Sequence, residues 1–192
     1  IDPELTPTLY RLKHSGLVVR GYNSPLLPGS TSDTEFMANT SLLPTINGKI
    51  TFNTYAKNTY PLTLAKVFTE NTYFSMASHN NYGIYYNRSE MLPALGYTFY
   101  DALGLNAYDN VPDSDVIDHV KWIMYEYEKV FSFWVTYNGH QPYSVDTLSE
   151  DMMKYLDIVT KKYPEMPEPE RIYFAKNMDL DRGLASLLKD YE

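Results

Sequence analysis

The 192-residue chain predicts an α/β fold, in which a mostly parallel sheet carries helices on both faces. Short apolar runs typical of strands alternate with longer segments of helical periodicity. Apolar residues make up 44% of the chain, the ordinary share for a globular protein that buries a core. There is no internal repeat and no low-complexity segment, and the Pro164–Pro169 stretch has the composition of a stiff turn. These observations predict one domain over residues 1–192.

The first third of the chain predicts a helix, a strand and a second helix. Apolar side chains repeat at helical spacing over residues 6–15, and the run at Leu17–Tyr22 is typical of a strand. Ser32 and Glu35 have the spacing of a capping box, so the next helix is expected to begin near Ser32. Its apolar residues continue to Leu43, directly before a proline.

The rest of the chain continues the alternation of helices and strands. A polar connection is predicted over residues 46–60, and Pro61 is expected to open a helix, because proline favours the first helical position. The remaining predicted elements are a strand at Tyr73–Ser78, a short helix at Glu90–Leu95, a strand at Tyr97–Tyr100, a helix at Asp113–Lys129, a buried strand at Val130–Tyr137, and two helices over residues 148–163 and 168–191.

Composition and charge exclude several classes of function. The net charge of −8, without a Lys/Arg cluster, argues against a nucleic-acid partner. No apolar run reaches the length that spans a membrane. Cysteine is absent, which removes disulfides, thiolate metal sites and cysteine nucleophiles together.

Three polar residues follow predicted strands and are therefore expected at one edge of the sheet. Ligands of parallel sheets bind outside the carboxyl ends of the strands, where His79, His140 and the Thr31 loop are predicted. Thr31 also lies where a helix begins, and the free N–H groups and positive dipole end of a helix attract phosphate. The alternatives stay open: a Ser/Thr cap is usually only a cap, and a lone loop histidine is more often structural.

Arg88 is the candidate phosphate ligand between these positions. A guanidinium holds phosphate through two parallel hydrogen bonds, and His79 could donate to another oxygen. His140 could bind a ligand oxygen or protonate a leaving group. The alternative for Arg88 is an ion pair with Glu90 or another nearby acid.

Separated blocks of this sequence resemble the lipoteichoic acid synthases, which belong to the sulfatase-like branch of the alkaline phosphatase superfamily. The resemblance covers nearly the whole chain, in the order and approximate spacing of that family. The blocks are Thr31–Phe36, His79–Gly83, Tyr86–Arg88 with Glu90, Leu95–Tyr97, and Thr136–Tyr143.

The resemblance implies a membrane-anchored phosphoglycerol transferase whose catalytic domain lies outside the cell. It would move glycerol phosphate from phosphatidylglycerol to a cell-wall polymer through a phospho-threonine intermediate. Thr31 would be the nucleophile and a ligand of Mn²⁺ or another divalent cation, which would deprotonate its hydroxyl. The substrate-binding residues implied are His79, Asn81, Tyr86, Arg88 and His140.

The sequence also departs from the family pattern. Ser30 stands where the family often has Lys, Tyr86 where it often has Trp, and Asn81 where an Asp is frequent. The remaining metal ligands, a glutamate and an Asp-His pair, would lie before residue 1 and beyond residue 192. The chain is therefore expected to be a central piece of the catalytic domain, truncated at both ends and inactive alone.

Further expectations concern partners and alternative functions. Missing strands would leave exposed sheet edges that favour self-association. No nucleic acid is expected as a partner, and the expected ligands are a phosphatidylglycerol-type headgroup and a glycerol phosphate polymer. Two alternatives remain: another sulfatase-like phosphodiesterase or phosphoethanolamine transferase, and a noncatalytic surface module that binds carbohydrate, which the 19 tyrosines would suit.

Overall fold

The structure, a computed structural model, describes residues 1–19, 30–45, 48–105 and 111–191. The chain divides into two compact units. The sheet unit comprises Gly21–Asn106 and Ile123–Val135, and the helical unit comprises Ile1–Arg20, Ala107–Trp122 and Thr136–Glu192. The single domain expected over residues 1–192 stays a prediction.

Eight α-helices and three strands occur in the described part of the chain. The helices are α1 (Pro7–Ser15), α2 (Thr31–Thr40), α3 (Thr51–Tyr55), α4 (Leu64–Glu70), α5 (Arg88–Ala94), α6 (Asp113–Met124), α7 (Glu150–Lys162) and α8 (Glu168–Lys189). The strands are β1 (Phe74–His79), β2 (Thr98–Tyr100) and β3 (Val130–Val135). Two short 3₁₀ helices lie at Tyr85–Asn87 and Val145–Thr147.

The sheet unit is built on a parallel sheet with the strand order β2-β1-β3. Met76 lies opposite Thr98 on one side of β1, and His79 lies opposite Val135 on the other. The carboxyl ends of β1 and β3 therefore meet at one edge. This parallel sheet flanked by helices confirms the predicted fold class.

The helices of the sheet unit bury aromatic and aliphatic side chains against the sheet. Ala65 of α4 is fully buried, and α4 packs on β1 while α5 packs next to β2. The core of this unit is formed by Phe36, Phe52, Ala56, Tyr60, Ala65, Ala77, Met91, Leu92, Leu95 and Tyr97. Burial of about ten such side chains is the main source of stability that a unit of this size has.

In the helical unit, α8 is the element on which α1 and α7 pack. Ile172 and Ala175 of α8 are fully buried. The Asp181 carboxylate accepts the backbone N–H groups of Thr8 and Leu9 at 3.1 and 2.7 Å. These bonds satisfy two donors at the start of α1 that have no partner within the helix.

The start of α2 differs from the prediction. The helix begins at Thr31, and the Asp33 carboxylate accepts the backbone N–H of Ser30 at 3.1 Å. The capping residues are therefore Ser30 and Asp33, each two positions before the residue predicted for that role, and the predicted capping box of Ser32 and Glu35 is wrong. The helix ends at Thr40, before Leu43, because Ser41 adopts the left-handed conformation with φ of 59°.

Two further elements between residues 46 and 70 differ from the prediction. The predicted polar connection contains α3, whose first residue, Thr51, donates its N–H to Asp33 Oδ1 at 3.2 Å. Phe52 of α3 is fully buried, which stabilises a helix too short to form alone. Helix α4 begins three residues after Pro61, because Thr63 caps it by accepting the Lys66 N–H at 3.2 Å.

Three of the four predicted strands occur where they were expected, and one of these differs in burial. Strand β3 is half-buried along its whole length, although its apolar run predicted a buried strand. Residues 17–19 form no strand, and Leu17 is 96% exposed. Residues 20–22 of that predicted strand, and the loop at residues 21–29, lie outside the described residues.

Candidate functional site

Thr31 is the first residue of α2, and its side chain is exposed. Residues four apart in a helix lie on the same face, so Thr31 and Glu35 share one face of α2. Asp33 lies on the opposite face, where it bonds to Ser30 and Thr51. The helix start is thus secured by Asp33, while the face that begins with Thr31 is available for another role.

Glu35 holds Arg88 in a bidentate ion pair. The Arg88 Nη2 and Nε atoms donate to Glu35 Oε1 and Oε2 at 2.5 and 3.0 Å. Arg88 is 2% exposed and Glu35 4% exposed. Because Glu35 lies one helical turn below Thr31, the pair brings the guanidinium to the face of α2 on which the candidate nucleophile lies.

The backbone before Arg88 has an uncommon conformation. Tyr86 and Asn87 both have positive φ, at 55° and 58°, a conformation that costs energy in a non-glycine residue. The turn brings the Tyr86 ring to 5.1 Å from the guanidinium carbon, a cation–π distance. Glu90, one of the acids named as an alternative partner of Arg88, accepts a hydrogen bond from Asn87 at 3.1 Å.

His79 is the last residue of β1 and is 4% exposed. Its Nδ1–H donates to the Val135 carbonyl of the neighbouring strand at 2.8 Å. Burial, and then the positive charge of Arg88, lower the pKa of His79 to about 4, against the opposing effects of Val135 and Asp101. At neutral pH the ring is therefore neutral, and Nε2 is its hydrogen-bond acceptor.

Asn81 and Asp101 shape the loop that follows His79. The Asn81 side chain accepts the backbone N–H of Tyr82 at 2.7 Å. Asp101, at the end of β2, accepts the N–H of Gly83 at 3.0 Å. A Cβ on Gly83 would lie 2.2 Å from Ser89 Oγ and 2.8 Å from Phe99 Cε1, so a larger residue would displace these side chains. Asn81 thus has a structural hydrogen bond, and its expected contact with substrate stays a prediction.

His140 lies in the helical unit, five residues after β3, and its side chain is exposed. Its Nδ1–H donates to the Gln141 carbonyl at 2.7 Å, and its ring stacks on Tyr137 with centroids 5.8 Å apart. Thr31 and His79 belong to the sheet unit and His140 to the helical unit, so their expected convergence stays a prediction.

The residues present do not by themselves fit a metal ion. In the described ranges, no group of three or more His, Cys, Asp or Glu residues could hold one. The two carboxylates nearest Thr31 in α2 are engaged, Asp33 with backbone N–H groups and Glu35 with Arg88. Manganese binding by Thr31 stays a prediction about a longer protein.

Sequence reasoning missed the residues that support the site. Glu35 was assigned to a cap, although its spacing of four from Thr31 was a readable signal for a shared helix face. Asp101 gave no signal, because its partner Gly83 is 18 residues away. In the helical unit, Asp113 was assigned only to a helix, whereas it bonds to the loop that carries His140.

The chain shares its α/β fold with two solved proteins. The structure matches the crystal structure of the lipoteichoic acid synthase LtaP from Listeria monocytogenes with a TM-score of 0.74 and 21% identity, over 97% of this chain and 46% of that one. It matches the Streptococcus pyogenes phosphoglycerol transferase GacH, in complex with sn-glycerol-1-phosphate, with a TM-score of 0.67 and 19% identity, over 97% of this chain and 50% of that one.

A sequence relative extends the comparison to another group of proteins. Over 167 residues, 80% of this chain, the identity is 26% with the "Putative cyclic beta-1,2-glucan modification protein" of Rhizobium meliloti (strain 1021), of which 24% is covered. No family model matches the chain. The chain thus has the lipoteichoic acid synthase fold and spans about half the length of the solved proteins that share it.

Among the described residues, no helix is both long enough and apolar enough to cross a bilayer.

Proposed function

We propose that the chain is part of a phosphoglycerol transferase that forms a glycerol phosphate ester on Thr31. The observation that carries this proposal is the Glu35–Arg88 ion pair, which brings a guanidinium to the face of α2 that begins with Thr31. The proposal is supported by the fold shared with a lipoteichoic acid synthase and with a phosphoglycerol transferase bound to sn-glycerol-1-phosphate.

The proposed first step is an exchange at phosphorus. The Thr31 oxygen forms a bond to the phosphorus of a phosphatidylglycerol-type diester while the bond to the lipid glycerol oxygen breaks. The leaving oxygen takes a proton, and the Thr31 hydroxyl gives one up. A second alcohol then attacks the ester, which returns Thr31 to its free form. Donors around the phosphate oxygens contribute most to such a transfer.

Arg88 and the start of α2 are proposed to hold the phosphate. A guanidinium has five N–H donors, of which Glu35 accepts two and the Tyr85 carbonyl accepts a third, from Nη1 at 3.5 Å. The remaining Nη hydrogens can donate to phosphate oxygens once a ligand displaces the covering side chains. Tyr86, stacked on the guanidinium, is the proposed cover. The free N–H groups at the start of α2 add further donors.

His79 is proposed to bind the ligand in a way that depends on proton uptake. A neutral ring with Nε2 as acceptor would repel a phosphate oxygen but can accept from a glycerol hydroxyl. An anion close to the ring would raise its pKa, and a bound proton would turn Nε2 into a donor. Asn81 is proposed to contact the glycerol, and His140 to protonate the leaving oxygen.

Donor, acceptor and cellular location are proposals about the whole protein. We propose a phosphatidylglycerol-type donor at the outer face of the cell membrane and a cell-surface polymer as acceptor. The name of the Rhizobium relative supports a glucan as acceptor, and the name of LtaP supports a lipoteichoic acid chain. Mn²⁺ dependence belongs to the same whole-protein proposal.

The proposal is tested by trapping the ester on Thr31. The natural protein that contains this chain is incubated with phosphatidylglycerol, and the intact mass is measured. We expect a gain of one glycerol phosphate less one water in the wild type and no gain in Thr31→Ala. Thr34→Ala, three residues further along α2, is the matched control and should keep the adduct. An adduct that survives in Thr31→Ala would refute the assignment.

The same experiment separates the alternatives. An adduct from phosphatidylethanolamine but not from phosphatidylglycerol would indicate a phosphoethanolamine transferase. Turnover of a diester to free alcohol, without an acceptor, would indicate a phosphodiesterase. Sugar binding that persists in Thr31→Ala, with no adduct from either lipid, would indicate a noncatalytic carbohydrate-binding module.

A further inference from the structure

The loop that carries His140 is held by a buried carboxylate from the start of α6. Asp113 is 1% exposed, and its two oxygens accept different backbone N–H groups of the loop. The Tyr137 N–H donates to Oδ1 and the Asn138 N–H to Oδ2, both at 3.2 Å. The Asn138 side chain adds a bond to the Val111 carbonyl at 2.8 Å. The first half of the loop is thus fixed through its backbone.

The second half of the same loop is held by a buried cation from α8. Lys176 is 5% exposed, and its Nζ donates to the carbonyls of Pro142 at 3.2 Å and His140 at 3.4 Å. The ammonium also lies 5.7 Å from the centre of the Tyr143 ring. Burial lowers the pKa of Lys176, and the negative charge of Asp113 opposes this shift.

Each of the two charged side chains contacts backbone groups of the opposite partial charge. N–H groups meet the anion before His140, and carbonyl groups meet the cation at and after it. A charge-assisted hydrogen bond is roughly twice as strong as a neutral one. His140 itself stays exposed, and it lines a cavity of ≈ 350 Å³ together with Asp113 and Lys176. The contacts therefore fix the loop and leave the imidazole accessible.

We propose that Asp113 and Lys176 form a loop clamp whose role is to position His140 for group transfer. This inference rests on the proposed function, in which His140 protonates the leaving oxygen. General acid catalysis needs the donor nitrogen within hydrogen-bond reach of the oxygen, and a displacement of about 1 Å can cost a hundredfold in rate. Both residues act through the loop backbone and are positioning residues.

Substitutions at both ends of the clamp test the inference. Lys176→Met keeps the apolar stem and removes the charge, and Lys176→Arg restores a charge. Asp113→Asn weakens the other contact. Asp181→Asn is the matched control, because Asp181 is also buried and accepts two backbone N–H groups, but from α1. The free energy of unfolding is measured for every variant.

Two readouts are taken on the natural protein that contains the chain. Hydrogen exchange at the Tyr137 and Asn138 amides should become roughly 10- to 100-fold faster in Asp113→Asn, and unchanged in Asp181→Asn. For phosphatidylglycerol turnover, Lys176→Met should lower kcat roughly 10- to 100-fold with KM within about threefold, and Lys176→Arg should restore most of it.

The outcomes separate this inference from the proposed function. Equal losses of kcat in Lys176→Met and Asp181→Asn would overturn the clamp and indicate a general effect of stability. Loss of folding in Lys176→Met would overturn the inference too, because the role of the Lys176 charge would then be to stabilise the helical unit and not to position His140. Wild-type turnover that persists in Thr31→Ala would refute the proposed function, while the amide exchange still tests the clamp.

Discussion

Breaking the buried ion pair of Glu35 and Arg88 should destabilise the sheet unit strongly. Glu35→Gln removes the negative charge and leaves the Arg88 guanidinium, which is 2% exposed, without a counter-ion. The substitution weakens two charge-assisted bonds, from Nη2 at 2.5 Å and from Nε at 3.0 Å. Loss of one partner of a buried pair costs about 3–5 kcal/mol. The amide oxygen of glutamine can still accept one hydrogen bond from Arg88, so we expect a cost of about 3 kcal/mol.

A double-mutant cycle isolates the coupling between the two side chains. Arg88→Met alone leaves the Glu35 carboxylate buried and should cost a similar amount. The double variant removes both charges, so its cost should be smaller than the sum of the single costs by about 2 kcal/mol. Urea unfolding gives these free energies, and each single substitution should lower Tm by about 6–12 °C.

The control for this cycle is an ion pair at the surface. Lys154 and Asp151 lie 2.6 Å apart, but their side chains are 71% and 42% exposed. Lys154→Met should leave the urea midpoint unchanged, because exposed pairs contribute little. Single costs for Glu35→Gln and Arg88→Met that add up within about 0.5 kcal/mol in the double variant would refute the reasoning.

Three further predictions follow from the backbone and from burial. Because the pKa of His79 is lowered to about 4, its contribution to stability is complete above pH 6.5 and is lost as the pH falls towards 4. The free energy of unfolding of the wild type, from urea unfolding, should fall by about 3 kcal/mol across this window, and His79→Gln should remove this pH dependence. Gly183→Ala should destabilise by about 1–3 kcal/mol, because its Cβ would lie 2.9 Å from Ser114 Cα. Gly104→Ala, whose Cβ would make only ordinary contacts, should leave the thermal midpoint unchanged. Asn87→Ala should cost about 1 kcal/mol in urea unfolding and Asn87→Gly much less, because φ is 58°.

The sequence was most informative where local periodicity and packing agree. Helix α8 is long enough for its helical periodicity to be recognised, and its apolar residues Ile172 and Ala175 are buried. Strand β1 was predicted within one residue, and His79 at its end lies at the expected edge of the sheet. In both elements, nearby residues contain the information that fixes the structure.

Contacts between distant residues explain what could not be predicted. Helix α3 has five residues and is tied to α2 by the bond from Thr51 to Asp33, 18 positions earlier. Glu35 and Arg88 are 53 positions apart, and their spacing follows no local rule. The neutral state of His79 depends on burial by the folded chain, so the sequence indicated a donor where the structure has an acceptor at Nε2.

The division of roles in α2 connects the fold to the candidate site. Successive helical residues are rotated by about 100°, so Asp33 faces away from Thr31 and Glu35. Asp33 can therefore satisfy the Ser30 N–H and anchor α3 without occupying the side on which Arg88 lies. With a cap at Ser32 and Glu35 instead, the carboxylate would have been taken from Arg88 and the helix would have begun after Thr31. The capping by Asp33 is thus what allows one helix face to hold both a hydroxyl and a fixed guanidinium.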